Sequence, residues 1–182
     1  MEIKLGNLDI KQATEHPELM GKPVSEFLSM LPDVSGVGVA EIDANFSDTA
    51  NFCGKYKITP EQAANCVIVE TKGGDRKLVA LVVLSSTRAD VNGAVCDALG
   101  VRKASFAQMD RAVSESGMEY GAITPIGLPS NWTILIDKAI ADSSYVVIGS
   151  GIRGSKLIVP GSFLASLPNA QVVEGLAKSR IN

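Results

Sequence analysis

Asn65-Cys66-Val67-Ile68-Val69-Glu70-Thr71, Lys72-Gly73-Gly74-Asp75 and Leu78-Val79-Ala80-Leu81-Val82-Val83-Leu84 read as a strand, a hairpin turn and a central strand. The paired glycines suit the turns with positive φ that tight hairpins favour. The second strand is apolar throughout, as a strand covered on both faces must be. In the first, a period of two puts Asn65, Val67 and Val69 on one face. Outward from this hairpin, strands are predicted over 37–42, 102–105, 132–137, 144–148, 155–159 and 171–174. Thr59-Pro60-Glu61-Gln62 has the form of a capping box, with Thr59 at the N-cap and proline at the first helical position. It predicts a short helix running into the strand at 65. Asp90 suits the cap of a helix that Gly100 ends, Gly117 closes a helix over 107–116, and Pro160-Gly161 open a last helix through Leu167. The fold class that follows is α+β: a mixed, largely antiparallel sheet with helices packed on it.

At 182 residues the chain suits one compact domain, taken as 36–182, behind a helical N-terminal extension, 1–35. In that extension Val24-Ser25-Glu26-Phe27-Leu28-Ser29-Met30-Leu31 has apolar residues at helical spacing, and Pro32 stops the run. The longest apolar run, 78–84, is too short to span a bilayer, and Met1-Glu2-Ile3-Lys4 is neither a signal nor a transit sequence. A cytoplasmic protein without a membrane partner is expected. Three widely spaced cysteines (Cys53, Cys66, Cys96) argue against disulfides and a zinc site. His16 is the only histidine, so a histidine-based triad or metal site lacks material. No metal or cofactor is expected. The net charge of −3, without a basic run, argues against DNA and limits contact with RNA to a short end.

Two glycine-rich segments remain: Gly121-Ala122-Ile123-Thr124-Pro125-Ile126-Gly127 and Gly149-Ser150-Gly151-Ile152-Arg153-Gly154-Ser155-Lys156-Leu157. Either alone suits a plain turn. Together they suggest a pocket walled by main chain, where missing Cβ atoms allow close approach and Pro125 fixes φ.

In this order the segments resemble the YbaK / prolyl-tRNA synthetase-associated domain family. The Gly-x-x-x-Pro of 121–125, followed by the Gly/Ser-rich Arg-Gly segment, carries the likeness. The stretch from Ile58 to Val69 is similar to the family's helix leading into its first site strand. Val101-Arg102-Lys103-Ala104-Ser105-Phe106-Ala107 is similar to the strand before its next helix. Gly117-Met118-Glu119-Tyr120 corresponds to the segment before the loop, and Leu135-Ile136-Asp137 to the strand after it. The likeness runs from about Gly36 to Glu174.

The resemblance implies a partly closed sheet and trans-editing hydrolysis: removal of a mischarged amino acid from aminoacyl-tRNA at the acceptor 3′ end, without a cofactor. An aminoacyl ester is already activated, so backbone amides aimed at the developing oxyanion can do much of the work. The candidate catalytic segment is Gly121, Ala122, Ile123, Thr124 and Pro125. The amides of Ala122, Ile123 and Thr124 are its donors and Pro125 its brace. The Thr124 hydroxyl either orients a water or bonds its own backbone. Gly149, Ser150 and Gly151 would form the opposite wall. Arg153 either meets a phosphate or is a solvated turn residue. Asp137 either holds the substrate's amino group or the loop, or bonds nearby backbone.

One departure bears on activity. The family's site strand usually begins with a functional lysine, and here Asn65 stands in its place. An amide carries no charge, and losing a charge-assisted contact costs about tenfold to a hundredfold in rate. Lys72, Lys77 or Arg153 are the candidates to restore the charge. The alternatives to a deacylase are an inactive module that binds an aminoacyl or nucleotide 3′ end, and a protein-interaction or self-associating domain docking through its apolar N-terminal segment.

Overall fold

The computed structural model describes residues 3–180. Strands are numbered β1 to β11 and α-helices α1 to α6 in chain order. The larger sheet has five strands in the order β10 (Ala170–Val173), β7 (Thr133–Asp137), β4 (Leu78–Leu84), β3 (Ala64–Thr71) and β6 (Ala104–Phe106). β3 and β4 form the antiparallel hairpin read from the sequence, with Asn65 opposite Val83 and Glu70 opposite Leu78. β7 runs parallel to both β4 and β10. The smaller sheet has four antiparallel strands in the order β1 (Lys11–Gln12), β2 (Gly38–Glu41), β9 (Ser155–Val159) and β8 (Val146–Gly149). A parallel bridge between Ala63 and Val147 joins the start of β3 to β8. The α+β fold is therefore partly closed, and one seam lies where the two sheets meet. β5 (Thr87–Ala89) and β11 (Ala177–Ser179) form a separate antiparallel pair.

β4 is apolar at every position because it serves two cores. Leu78, Ala80 and Val82 join Ile134 and Ile136 in the principal one. Val79, Leu81 and Val83 meet Val69 and Leu135 in the second. The side chains alternate across the sheet, and helices cover both faces. The N-terminal segment is built into the principal core. Its helix α1 (Lys22–Ser29) buries Val24 and Leu28 there. The amide of Gly21 donates to the Ser150 carbonyl at 2.9 Å, and the Ser155 hydroxyl donates to the Leu19 carbonyl.

The capping box does not nucleate a helix. The Thr59 amide donates to Gln62 Oε1 at 3.0 Å, and the Gln62 amide returns to the Thr59 carbonyl at 2.9 Å, making one turn. The Val147 amide then takes the Gln62 carbonyl at 2.8 Å, and the chain enters β3 at Ala64. A single turn cannot offset the cost of helix nucleation once its carbonyls are taken by a sheet. The helix of this region lies earlier: α2 (Thr49–Tyr56), capped by the Asp48 carboxylate on the Asn51 amide at 3.2 Å. The helix expected from Asp90 opens with a wide π-type turn over Val91–Val95 before α3 (Cys96–Leu99), because the Asp90 carboxylate holds the Ala94 amide at 3.2 Å. Helices α4 (Met109–Ser116), α5 (Lys138–Ala141) and α6 (Gly161–Ala165) complete the set.

An ion network ties α4 to the hairpin. Glu70, nearly buried in β3, meets Lys72 Nζ at 2.8 Å and Arg111 Nη1 at 2.5 Å. Arg111 also bonds Glu115 at 2.7 Å and the Arg76 carbonyl at 2.9 Å. The Lys72 ammonium, with the Arg111 guanidinium, holds the Glu70 carboxyl below its ordinary value of 4.5. The stability this ionised group contributes is complete above pH 4.5 and is lost as the pH falls below it towards the folded-state value. Glu70→Gln should flatten the acid limb of the pH–stability curve in that interval. An acid limb identical to that of the parent would remove the network from the account.

Candidate functional site

A cavity of about 490 Å³ opens at the seam between the sheets. One wall is the first half of β3, from Ala64 to Ile68. Gly121 and Ile123 of the first glycine segment, with Gly149 at the end of β8, form a second. Lys156 of β9 enters beside Ser47, Asp48 and Thr49 at the start of α2. Phe106, Ala107, Met109 and Ala112 close the remaining side.

The glycines are there for specific reasons. Gly121 has φ +77°, in the left-handed region where side chains are strained. A Cβ on Gly149 would lie 2.7 Å from the Ala122 carbonyl oxygen and 3.0 Å from that of Ile123. The two glycine segments are thus pressed together backbone to backbone, and the Gly151 amide donates to the Ala122 carbonyl at 2.8 Å. The sequence offers three amide donors; the fold spends two of them. The Ala122 amide closes a turn on the Glu119 carbonyl at 3.0 Å, and the Thr124 amide meets Met118 Sδ at 3.4 Å. Of the three, only the Ile123 amide lacks a protein acceptor among the described residues, and Ile123 lines the cavity.

The remaining candidates separate into two groups. Asn65 lines the cavity, its Oδ1 accepting from the Thr49 hydroxyl at 2.8 Å. Arg153 is not among the lining residues but lies next to Gly121, its Nη1 3.5 Å from where a Cβ on Gly121 would be, while its amide donates to Glu119 Oε2 at 2.7 Å. Ala122, Thr124 and Pro125 are buried and are not among the residues lining the cavity. The Thr124 hydroxyl makes no bond to its own backbone and has no partner among the described residues. Ser150 is turned inward, bonded to Ser155 Oγ at 2.7 Å and to the Ile152 carbonyl at 3.0 Å. Gly151 packs on Gly21. Asp137 lies away from the cavity. Its Oδ1 caps α5 through the Ala139 amide at 2.9 Å, and its Oδ2 takes the Ala177 amide at 2.8 Å. Both oxygens are thus held by backbone, and it joins β7 to the start of β11.

Lys156 lies within the second glycine segment, and the pairing of Gly149 with Lys156 across β8 and β9 brings it to the cavity. Burial pushes its ammonium below the usual lysine range. By contrast, Lys72 is paired with Glu70 and neither it nor Lys77 lines the cavity. Cys66 does line it, but burial pushes its thiol up to about 12, so at neutral pH it is a protonated, apolar wall group and not an attacking thiolate.

No helix among the described residues is long and apolar enough to cross a membrane. Solved structures share the fold. A hypothetical protein, APE2540, superposes with a TM-score of 0.76 at 16% identity, over 86% of this chain and all of the other. A protein described as a candidate trans-editing enzyme for prolyl tRNA synthetase gives 0.72 at 16% identity, over 85% of this chain and 94% of its own. Part of a larger protein from Marinobacter aquaeolei VT8, described as a candidate signal transduction protein, gives 0.57 at 18% identity, over 88% of this chain and 31% of its own. At such identities the superpositions speak for the fold alone. The family model for the aminoacyl-tRNA editing domain matches residues 43–167, which include β3, both glycine segments and every residue lining the cavity. This chain belongs to the aminoacyl-tRNA editing domain family.

Proposed function

We propose that the protein is a trans-acting deacylase that removes a mischarged amino acid from the 3′ end of tRNA. The observation that carries this reading is Ile123, which lines the cavity with Gly121 and whose amide has no protein acceptor among the described residues. A water oxygen adds to the acyl carbon and the bond to the ribose oxygen breaks. A proton passes to that ribose oxygen, leaving a free amino acid and an intact tRNA. The amide receives the charge that builds on the acyl oxygen, and a neighbouring ribose hydroxyl or a second water assists the attack. Neither step needs a nucleophilic side chain, which suits a cavity whose only thiol stays protonated. Asp48, the carboxylate on the cavity wall, takes the role of receiving the substrate's α-ammonium. Phe106 and Met109, which line the cavity, are 68% and 43% exposed and offer an apolar face on which a terminal base can stack.

The decisive measurement is a deacylation assay over a panel of charged tRNAs, correct and mismatched. At least one mismatched pair should lose its amino acid in a first-order decay that requires the protein. If no charged tRNA is hydrolysed while Asn65→Lys acquires activity, the wild-type domain is a binding module instead.

A further inference from the structure

Lys156 is a half-buried cation on the cavity wall that makes no ion pair, and the Asp48 carboxylate acts on it only from beyond contact distance. Its Nζ donates to the Ser47 carbonyl at 3.1 Å and stands 5.3 Å from the centre of the Phe52 ring. No carboxylate among the described residues lies within 4.0 Å of it. Asp48, on the same wall, lies beyond ion-pair distance of Lys156, its carboxylate accepting from the amide and side chain of Asn51 at 3.2 and 2.6 Å. The Cys53 thiol nearby is kept neutral by burial, which pushes it up. A desolvated ammonium with no carboxylate in contact is costly to keep, and a carbonyl, a ring face and the more distant Asp48 charge compensate it only in part. Such a group is best explained when the missing negative charge arrives with a ligand. Arg153 adds a second cation from the same segment, close to Gly121.

Across the seam, the place from which β3 could deliver an ammonium is filled by Asn65, held by Thr49. Two lysines meeting in this one cavity would repel each other. β9 therefore supplies the charge in place of β3. We propose that Lys156 is the cavity's anion-receiving side chain: its ammonium contacts a negatively charged oxygen of the substrate, on the acyl group in the transition state or on the terminal phosphate. This rests on the deacylase reading above.

The test measures two quantities on the full chain. One is hydrolysis of the charged tRNA that the wild type prefers. The other is affinity for a short RNA ending in CCA whose terminal ribose carries alanine through an amide. Methionine keeps the length of the lysine stem over Phe52, and thermal melting confirms that each variant folds. Lys156→Met should lose about tenfold to a hundredfold. The loss falls on kcat if the contact is with the acyl oxygen, and on KM and affinity if it is with phosphate. Lys156→Arg should keep most of the lost function, and Asn65→Lys in the Lys156→Met background should regain at least tenfold, because it returns one cation from the opposite wall. A folded Lys156→Met within twofold of the wild type in both measurements overturns the proposal. So does a loss that neither Arg at 156 nor Lys at 65 repairs, since that pattern marks a structural role. A wild type that neither hydrolyses nor binds its RNA refutes the deacylase reading itself, and this proposal with it.

Discussion

Gly149→Ala should remove most of the editing activity, by more than about a hundredfold, and cost roughly 2 kcal/mol of stability at the same time. A methyl at this position would lie 2.7 Å from the Ala122 carbonyl oxygen, 3.0 Å from its carbon and 3.0 Å from the Ile123 carbonyl oxygen. All three are backbone atoms, so no side chain can rotate aside. The loop carrying the Ile123 amide must retreat from β8. That amide is placed by the turn between Glu119 and Ala122 and by the Gly151 amide on the Ala122 carbonyl, and both move with the loop. Because a shift of about 1 Å at a preorganised site can cost a hundredfold in rate, the activity loss should exceed what the stability loss alone explains. Gly154→Ala is the matched control: the position has open space around it, so both readouts should stay near wild type. Single-turnover deacylation and urea unfolding measured together decide the matter. Full activity in a folded Gly149→Ala protein would show that the loop is not the oxyanion site.

The largest effect on stability alone is expected at Gly161. Its Cβ would run into the Ile140 carbonyl oxygen and come within 2.7 Å of that of Ser143 and 3.0 Å of that of Ala141. These are the carbonyls at the end of α5, and the Gly161 amide bonds one of them, Ser143, at 3.0 Å. Gly161→Ala therefore has to part α5 from α6, at roughly 3 kcal/mol. Neither Gly161 nor Ile140 lines the cavity, so activity per folded molecule should survive below the melting transition. Gly54→Ala provides the opposite sign. It lies within α2 with nothing within 4 Å, and alanine there should add up to about 1 kcal/mol. Equilibrium unfolding of the three proteins gives the order directly, and a Gly161→Ala variant as stable as its parent would mean that the two helices can separate freely.

Several features were legible without coordinates because they are local. The hairpin of β3 and β4 was readable from two strand-like runs around a pair of glycines, and β4 has the residues 78–84 that its unbroken apolar run indicates. Gly100 and Gly117 end helices in the left-handed conformation, as helix-closing glycines do. The capping box shows the limit of such signals. Thr59 and Gln62 make the expected side-chain bond, yet the sheet claims the next carbonyl and no helix forms. Asp137 shows it for the site. Its place in the sequence cannot reveal that Ala139 and Ala177 already hold both its oxygens.

Composition and spacing were enough to read the fold class, the hairpin and the pair of facing glycine segments, because these follow from steric freedom at single residues and from periodicity within short runs. Which amide stays free was decided by the bonds of the Ala122 and Thr124 amides to Glu119 and Met118, and which side chains meet in the cavity by how the two sheets join. Asn65 and Lys156 line one cavity only because β3 and β8 meet at the seam and β9 pairs with β8. Contacts of that kind are set by how two sheets pack, and no window along the chain contains both partners.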